Sequence, residues 1–157
     1  MGIAVLNALS ALVTEQQGIP GGRLIPGMDA LDAAEVRAED LVARVRGFIP
    51  FIKTLKGRAE KLWMLDKHRE ALKEDQLPFW RPPEQVTEIL SQANVVVTTG
   101  STLVEGGIDV LLESPAQARR LILAGPTASP WPPIFFERGV DVLGGIRVQD
   151  GPRILQV

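Results

Sequence analysis

The stretch Asn94-Val95-Val96-Val97-Thr98-Thr99-Gly100-Ser101-Thr102 runs from an unbroken apolar segment straight into a glycine turn carrying small hydroxyl residues. Leu121-Ile122-Leu123-Ala124-Gly125-Pro126-Thr127 repeats the arrangement. Strands that are apolar at every position, not at alternate ones, suit a parallel sheet covered on both faces. In such sheets ligands sit beyond the carboxyl ends of the strands. The two turns are therefore expected to border a ligand site, with Thr99, Gly100, Ser101 and Thr102 in the first and Gly125, Pro126 and Thr127 in the second.

Working outward, Leu41 to Val45 and Lys61 to Leu65 read as further strands, the second closing at Asp66. Between them Gly47-Phe48-Ile49-Pro50 reads as a turn and Phe51 to Gly57 as a short helix or irregular crossover. The polar, proline-bearing stretch from Asp66 to Pro83 predicts an irregular connection with at most a helical turn around Arg69 to Lys73. Pro82 and Pro83 then open a helix through Ala93, since proline suits a first helical turn. A helix ending near Glu113 follows the first glycine turn. After the second, Trp131-Pro132-Pro133 leads to a short helix over Ile134 to Arg138 and a strand over Val140 to Leu143. Gly144-Gly145 breaks that strand, and Ile146 to Val148 is a candidate to pair beside it.

Towards the amino terminus, Ile3, Leu6, Leu9, Leu12 and Val13 fall at helical spacing and give a helix with one strongly apolar side. Gly18 to Gly27 is rich in glycine and proline and reads as loop. Asp29 to Asp40 alternates alanine with acids, a pattern that suits either a short helix or a surface excursion. The alternation of strands and helices implies right-handed crossovers and an α/β fold, a three-layer sandwich with a mainly parallel, Rossmann-like sheet of five or six strands. The expected organisation is one domain over residues 1–157, with a leading helix (1–17), a loop or excursion (18–40) and a core (41–157).

At 157 residues the chain is long enough to bury a sizeable core, and 45% hydrophobic with 23% charged residues are ordinary globular values that argue against disorder. The formal net charge of −2 argues against nucleic acid as the main partner. Lys and Arg outnumber Asp and Glu between Arg37 and Arg81, a stretch that reads as solvated surface. The chain has no cysteine, hence no disulfide, thiolate nucleophile or thiolate metal site, which fits a cytoplasmic setting. Its apolar opening lacks the basic start of a secretory signal, the first basic residue being Arg23. No segment reaches the roughly 20 apolar residues of a membrane helix.

Several residues carry candidate chemistry. Backbone amides and hydroxyls at Thr99 to Thr102 could hold a phosphate, carboxylate or oxyanion, while Thr102-Leu103-Val104-Glu105 is also a capping-box pattern. The Gly125 to Pro130 loop is either a rigid architectural turn or a presenter of the Thr127 and Ser129 hydroxyls. Gly47, with Phe48 and Pro50, forms a turn lacking G-x-G-x-x-G, which argues against NAD. Asp66 lies about 20 residues beyond Gly47, the spacing of a ribose-binding acid. His68, the only histidine, is a candidate base or ligand, against the reading of an exposed loop residue. A metal ion is one candidate cofactor: Asp66, His68, Glu74 and Asp75 form an oxygen-rich set with one nitrogen, although soft metals favour thiolate and imidazole. Trp63 reads as core; Phe79-Trp80 and Trp131 could cover a pocket or meet a partner. Nothing around Ser101 resembles a G-x-S-x-G elbow.

Six stretches in order resemble a known family, a Rossmann-like domain of unassigned activity named for heavy-metal chelation. They are Ala4-Val5-Leu6-Asn7-Ala8, Val45-Arg46-Gly47-Phe48-Ile49-Pro50, Glu74-Asp75-Gln76-Leu77-Pro78, Thr99-Gly100-Ser101-Thr102-Leu103-Val104, Gly125-Pro126-Thr127-Ala128-Ser129-Pro130 and Gly139-Val140-Asp141-Val142-Leu143-Gly144-Gly145. The resemblance implies binding of a small anionic molecule or metal complex at the carboxyl edge of the sheet. Members usually carry an extra amino-terminal domain like the small domain of enolases, so the resemblance also implies a separate subunit supplying it; a homo-oligomer is the other partner expected. The family tends to have Asn where this chain has Glu105. Two other readings stand beside this one. The first is a small-molecule enzyme, nucleotide-dependent or not, with Asp66 or His68 moving protons. The second is an interaction subunit whose apolar first helix docks on another chain.

Overall fold

Val95, Val96 and Val97 leave no strand face suited to water, so helices must cover both sides of the sheet they join. The computed structural model describes residues 2–46, 49–59, 61–113 and 118–147. It places them in six parallel strands: β1 (Leu41–Val45), β2 (Lys61–Leu65), β3 (Trp80–Arg81), β4 (Val95–Thr99), β5 (Arg120–Ala124) and β6 (Val142–Gly144). Their order is β3-β2-β1-β4-β5-β6, that of the Rossmann fold. The helices are α1 (Gly2–Gln17), α2 (Ala30–Ala33), α3 (Ile49–Arg58), α4 (Val86–Gln92), α5 (Ser101–Glu105), α6 (Ile108–Glu113) and α7 (Pro132–Phe136).

Strand periodicity divides the core in two. Val42, Met64, Val97, Ile122 and Ala124 face α2 and α3 through Leu31, Ala34, Ile52 and Leu55. Ala43, Val45, Leu65, Val96 and Leu123 face α4 and α6 through Ile89, Leu90, Ile108 and Leu111. This is the three-layer sandwich expected. The crossovers leaving β4 and β5 run on the α4 and α6 side, which would leave β5 and β6 bare on the other. There α2 fills the gap: Leu31 is fully buried, and a Cβ on Gly144 would stand only 2.6 Å from the Ala30 Cβ. Asp29 caps α2, its Oδ1 accepting from the Leu31 amide at 2.8 Å. Of the stretch Asp29 to Asp40, Ala30–Ala33 is thus the short helix, with Ala30, Leu31 and Ala34 in the core, while Glu35 and Arg37 to Glu39 are exposed.

Other differences have local causes. β3 lies in the stretch read as irregular; it is only two residues long, and it pairs with β2 through Met64 beside Trp80 and Leu65 beside Arg81. The helix expected to run to Glu113 is split at Gly106, whose φ of 74° closes α5. The third helix begins at Ile49 and the last at Pro132, earlier than their sequence patterns suggest. Ile146 and Arg147 stay outside the sheet, and Val148 lies outside the described residues. Trp63 is half-buried against the second core.

α1 forms as expected but does not pack as expected. Ser10 is its one buried residue among those described, whereas Val5, Leu6, Leu9 and Leu12 are each about half exposed. Its ties to the fold are polar: Asn7 Nδ2 donates to the Thr127 carbonyl at 3.3 Å, and Glu15 pairs with Arg147. No helix among the described residues is long and apolar enough to cross a membrane.

At the amino ends of the central strands a polar clasp joins three elements. Asn94 Oδ1 accepts from the Leu41 amide at 2.9 Å, and the Asp40 carboxylate, nearly enclosed, takes both arms of Arg119 and the Arg37 amide at 2.7 Å. Burial pushes the Asp40 carboxyl up, but the Arg119 hydrogen bonds, the Arg37 amide and both positive charges outweigh it and hold it below its ordinary value of 3.8. A lowered folded value means the clasp contributes its full stability above pH 3.8 and loses it as pH falls through the folded value. Asp40→Asn should therefore lower the urea midpoint at neutral pH, by about 1–3 kcal/mol of stability. In a pH series, the gap between variant and parent should close below 3.8.

Candidate functional site

Strand order reverses between β1 and β4, the place where sheets of this kind open a crevice at their carboxyl ends, although neither of the two hollows described below is lined by residues 99–102 or 125–127. On the β1 side the chain turns at Arg46, which takes a left-handed φ of 53° while its amide donates to the Leu65 carbonyl at 2.8 Å. The Arg46 side chain crosses to the end of α5, where Nη1 pairs with Glu105, and it rests against Gly107. Gly47 and Phe48 lie outside the described residues, and Pro50 stands in the first turn of α3.

The two glycine turns touch. The Gly100 amide donates to the Ala124 carbonyl at 3.1 Å. A Cβ on Gly100 would collide with Thr127 Oγ1 and stand 2.5 Å from the Ala128 nitrogen. Gly125, at φ 117°, brings its α-carbon against Thr99, so that a Cβ there would be 3.3 Å from Thr99 Oγ1. Thr99, Ser101 and Thr127 are partly exposed around this seam, and Pro126 is exposed at its tip. Thr102 is not available at the surface: it is buried, and its hydroxyl donates to the Thr99 carbonyl at 2.7 Å.

The capping box is a correction. α5 starts at Ser101 with Gly100 as its cap, so Thr102 is already inside the helix and faces the core, and Glu105 reaches out to Arg46 instead. Gly100→Ala should force the turns apart and cost about 1–3 kcal/mol, as overpacking does, read as a fall in thermal midpoint of several degrees.

Asp66 is 20% exposed and serves the end of β2: Oδ1 accepts from the His68 amide at 3.1 Å, Oδ2 faces Arg44 at 3.9 Å, and its carbonyl accepts from Trp80 Nε1 at 2.9 Å. The proposed oxygen-rich metal set does not assemble. His68 is 75% exposed and its Nδ1 lies 3.0 Å from Glu70, Asp75 pairs with Lys56 at 2.7 Å, and Glu74 is exposed. Among the described residues no three His, Cys, Asp or Glu side chains are grouped to hold a metal ion. With no cysteine and one exposed histidine, the donors present do not fit a soft metal held directly by this chain.

Sequence reasoning missed Arg44. Its side chain is 3% exposed on the α3 face of β1, Nη1 donating weakly to Met64 Sδ at 3.5 Å and Nε finding no partner among the described residues. Burial drags its guanidinium below the usual range and Asp66 partly restores it; arginine nevertheless stays charged. The signal was present, a cation in the apolar run Leu41-Val42-Ala43-Arg44-Val45. Asn7 was also missed, and its Oδ1 is enclosed beside the second turn with no partner among the described residues. A hollow of about 360 Å³ beside Arg69, Glu70, Leu72 and Leu77 opens broadly to solvent away from the crevice. A smaller cavity of about 140 Å³ lies under Arg46.

A family model described as "Putative heavy-metal chelation" matches residues 29–157. A solved structure from Desulfitobacterium hafniense, a protein of unknown function from the DUF364 family, is 25% identical, superposes with a TM-score of 0.68, and is matched over 96% of this chain and 55% of its own. Another DUF364 protein of unknown function, from Pyrococcus horikoshii, gives 16% identity and a TM-score of 0.64 over 85% of this chain and 49% of its own, a likeness of fold. The chain thus spans about half the length of these two solved proteins. No curated protein matches it.

Proposed function

Because the chain belongs to the DUF364 family, we propose that it is a binding protein that holds a small anion, or a metal already complexed by an anionic chelator, at the carboxyl edge of its sheet. The observation that carries this reading is the meeting of the two glycine turns at the carboxyl edge, with the hydroxyls of Thr99, Ser101 and Thr127 around the seam and the Arg46 cation, paired with Glu105, at the far end of the helix that starts there. Hydroxyls and cations receive oxyanions; they are poor ligands for a bare soft ion. A metal that arrives with its own oxygen donors reconciles the family's description with a chain that has no thiolate to offer.

Equilibrium titration with phosphate, molybdate, metal citrates and nucleotides should give saturable binding to at least one oxyanion or complex, weakening as salt rises. Ser101→Ala should weaken it about fivefold, the share of one hydrogen bond. Saturable binding of none of these ligands would sink the proposal.

A second reading, an interaction subunit or oligomer, is favoured by the exposed apolar side of α1. An apolar helix of this kind is ordinarily covered. Sedimentation of the purified chain should show self-association that Leu9→Asp abolishes; a clean monomer at high concentration would count against it.

A further inference from the structure

The cavity beneath Arg46 has an unusual pairing of surfaces. Val45 and Leu65, at the carboxyl ends of β1 and β2, meet Val86 of α4 and Val110 of α6 to make apolar walls, and Arg46 and Lys67 are the charged residues that line it. Among the described residues no acid lines it, and Glu105 reaches Arg46 without bordering the space. At about 140 Å³ the hollow has room for a body of benzene size, but it is half open to solvent, with Val110 and Lys67 exposed at its rim. Inorganic anions have no use for such walls, and a nucleotide is too large for the space.

We propose that the cavity is the binding site for a small amphiphilic carboxylate, an aryl or branched-chain acid of benzoate size. Its apolar body sits between Val86 and Val110 and its carboxylate lies between Arg46 and Lys67. This deepens the reading of the carboxyl edge as an anion site and rests on it for the role of Arg46. A guanidinium fork matches a carboxylate bidentately, while the exposed Lys67 adds a mobile point charge. Glu105 already presents a carboxylate to Arg46, so it acts as a built-in competitor that an entering acid must displace or share with.

The test is calorimetric titration of the parent chain, Glu105→Gln, Lys67→Gln and Val110→Trp with benzoate, acetate and benzyl alcohol, with phosphate run in parallel. Benzoate should bind the parent at least about tenfold more tightly than acetate, which has the head without the body, or benzyl alcohol, which has the body without the charge. Glu105→Gln should tighten benzoate severalfold. Val110→Trp, made at a half-exposed residue on the rim, should abolish benzoate binding and leave phosphate binding as in the parent. Lys67→Gln, at an exposed position, should weaken benzoate and leave benzyl alcohol unchanged. Equal affinity for benzoate and acetate, or benzoate binding untouched by both Val110→Trp and Lys67→Gln, would overturn the proposal. Phosphate binding without benzoate binding removes this inference alone, whereas failure of every anion removes the anion site as well.

Discussion

Parallel hydrogen bonding joins β1 to β4, the two strands most completely enclosed on both faces, and because neither leaves a side for water, the chain must cover them from above and below. One set of connections runs out to β2 and β3, the other to β5 and β6, and the two sets cover opposite faces. α2 supplies the patch that neither reaches. The crevice at the carboxyl ends is a by-product of that arrangement, since loops heading to opposite sides must part where the order reverses. Fold and site therefore share one cause.

The carboxyl edge is also where charge enters an otherwise apolar sheet. Arg44 is fully enclosed and, among the described residues, has only a long contact to Asp66 as its counter-charge, a placement whose desolvation cost is considerable. Asp66, read from its spacing as a ribose contact, is engaged instead with Arg44 and with the amide of His68. Two residues after Arg44, Arg46 meets Glu105 at the surface. The edge thus holds arginines in two states, one buried under the sheet's own helices and one facing the crevice.

How much of this was legible in the sequence follows from which interactions are local. The strands β1, β2, β4 and β5 could be read because burial on both faces demands continuous apolar runs; the bounds of β1, β2 and β5 agree with the reading, and β4, read from Asn94 to Thr98, lies one residue further on. β3 could not, because two residues carry no period and only its pairing with Met64 and Leu65 makes it a strand. The meeting of Gly100 with Thr127 and Ala128 rests on a contact between distant segments, which two separate glycine turns suggest but do not specify. Thr102-Leu103-Val104-Glu105 misled because a capping box is a local pattern, whereas Glu105 is claimed by a residue from another strand's end. The metal set was a cluster in sequence only: on the irregular stretch after β2 each acid found a nearer cation or stayed in water. α1 was read correctly as a helix with an apolar side, but what covers that side is not encoded in its spacing.

Arg46 holds a backbone conformation that glycine adopts freely and arginine does not. The left-handed turn sets the direction of its Cα–Cβ bond, and the side chain leaves the end of β1 towards Glu105. Drift towards glycine at this position would ease the chain and erase the cation, whereas keeping arginine retains the charge at the expense of local ease. Selection for a steadier fold and selection for a charged crevice would therefore pull one codon in opposite directions, and this chain stands on the side of the charge.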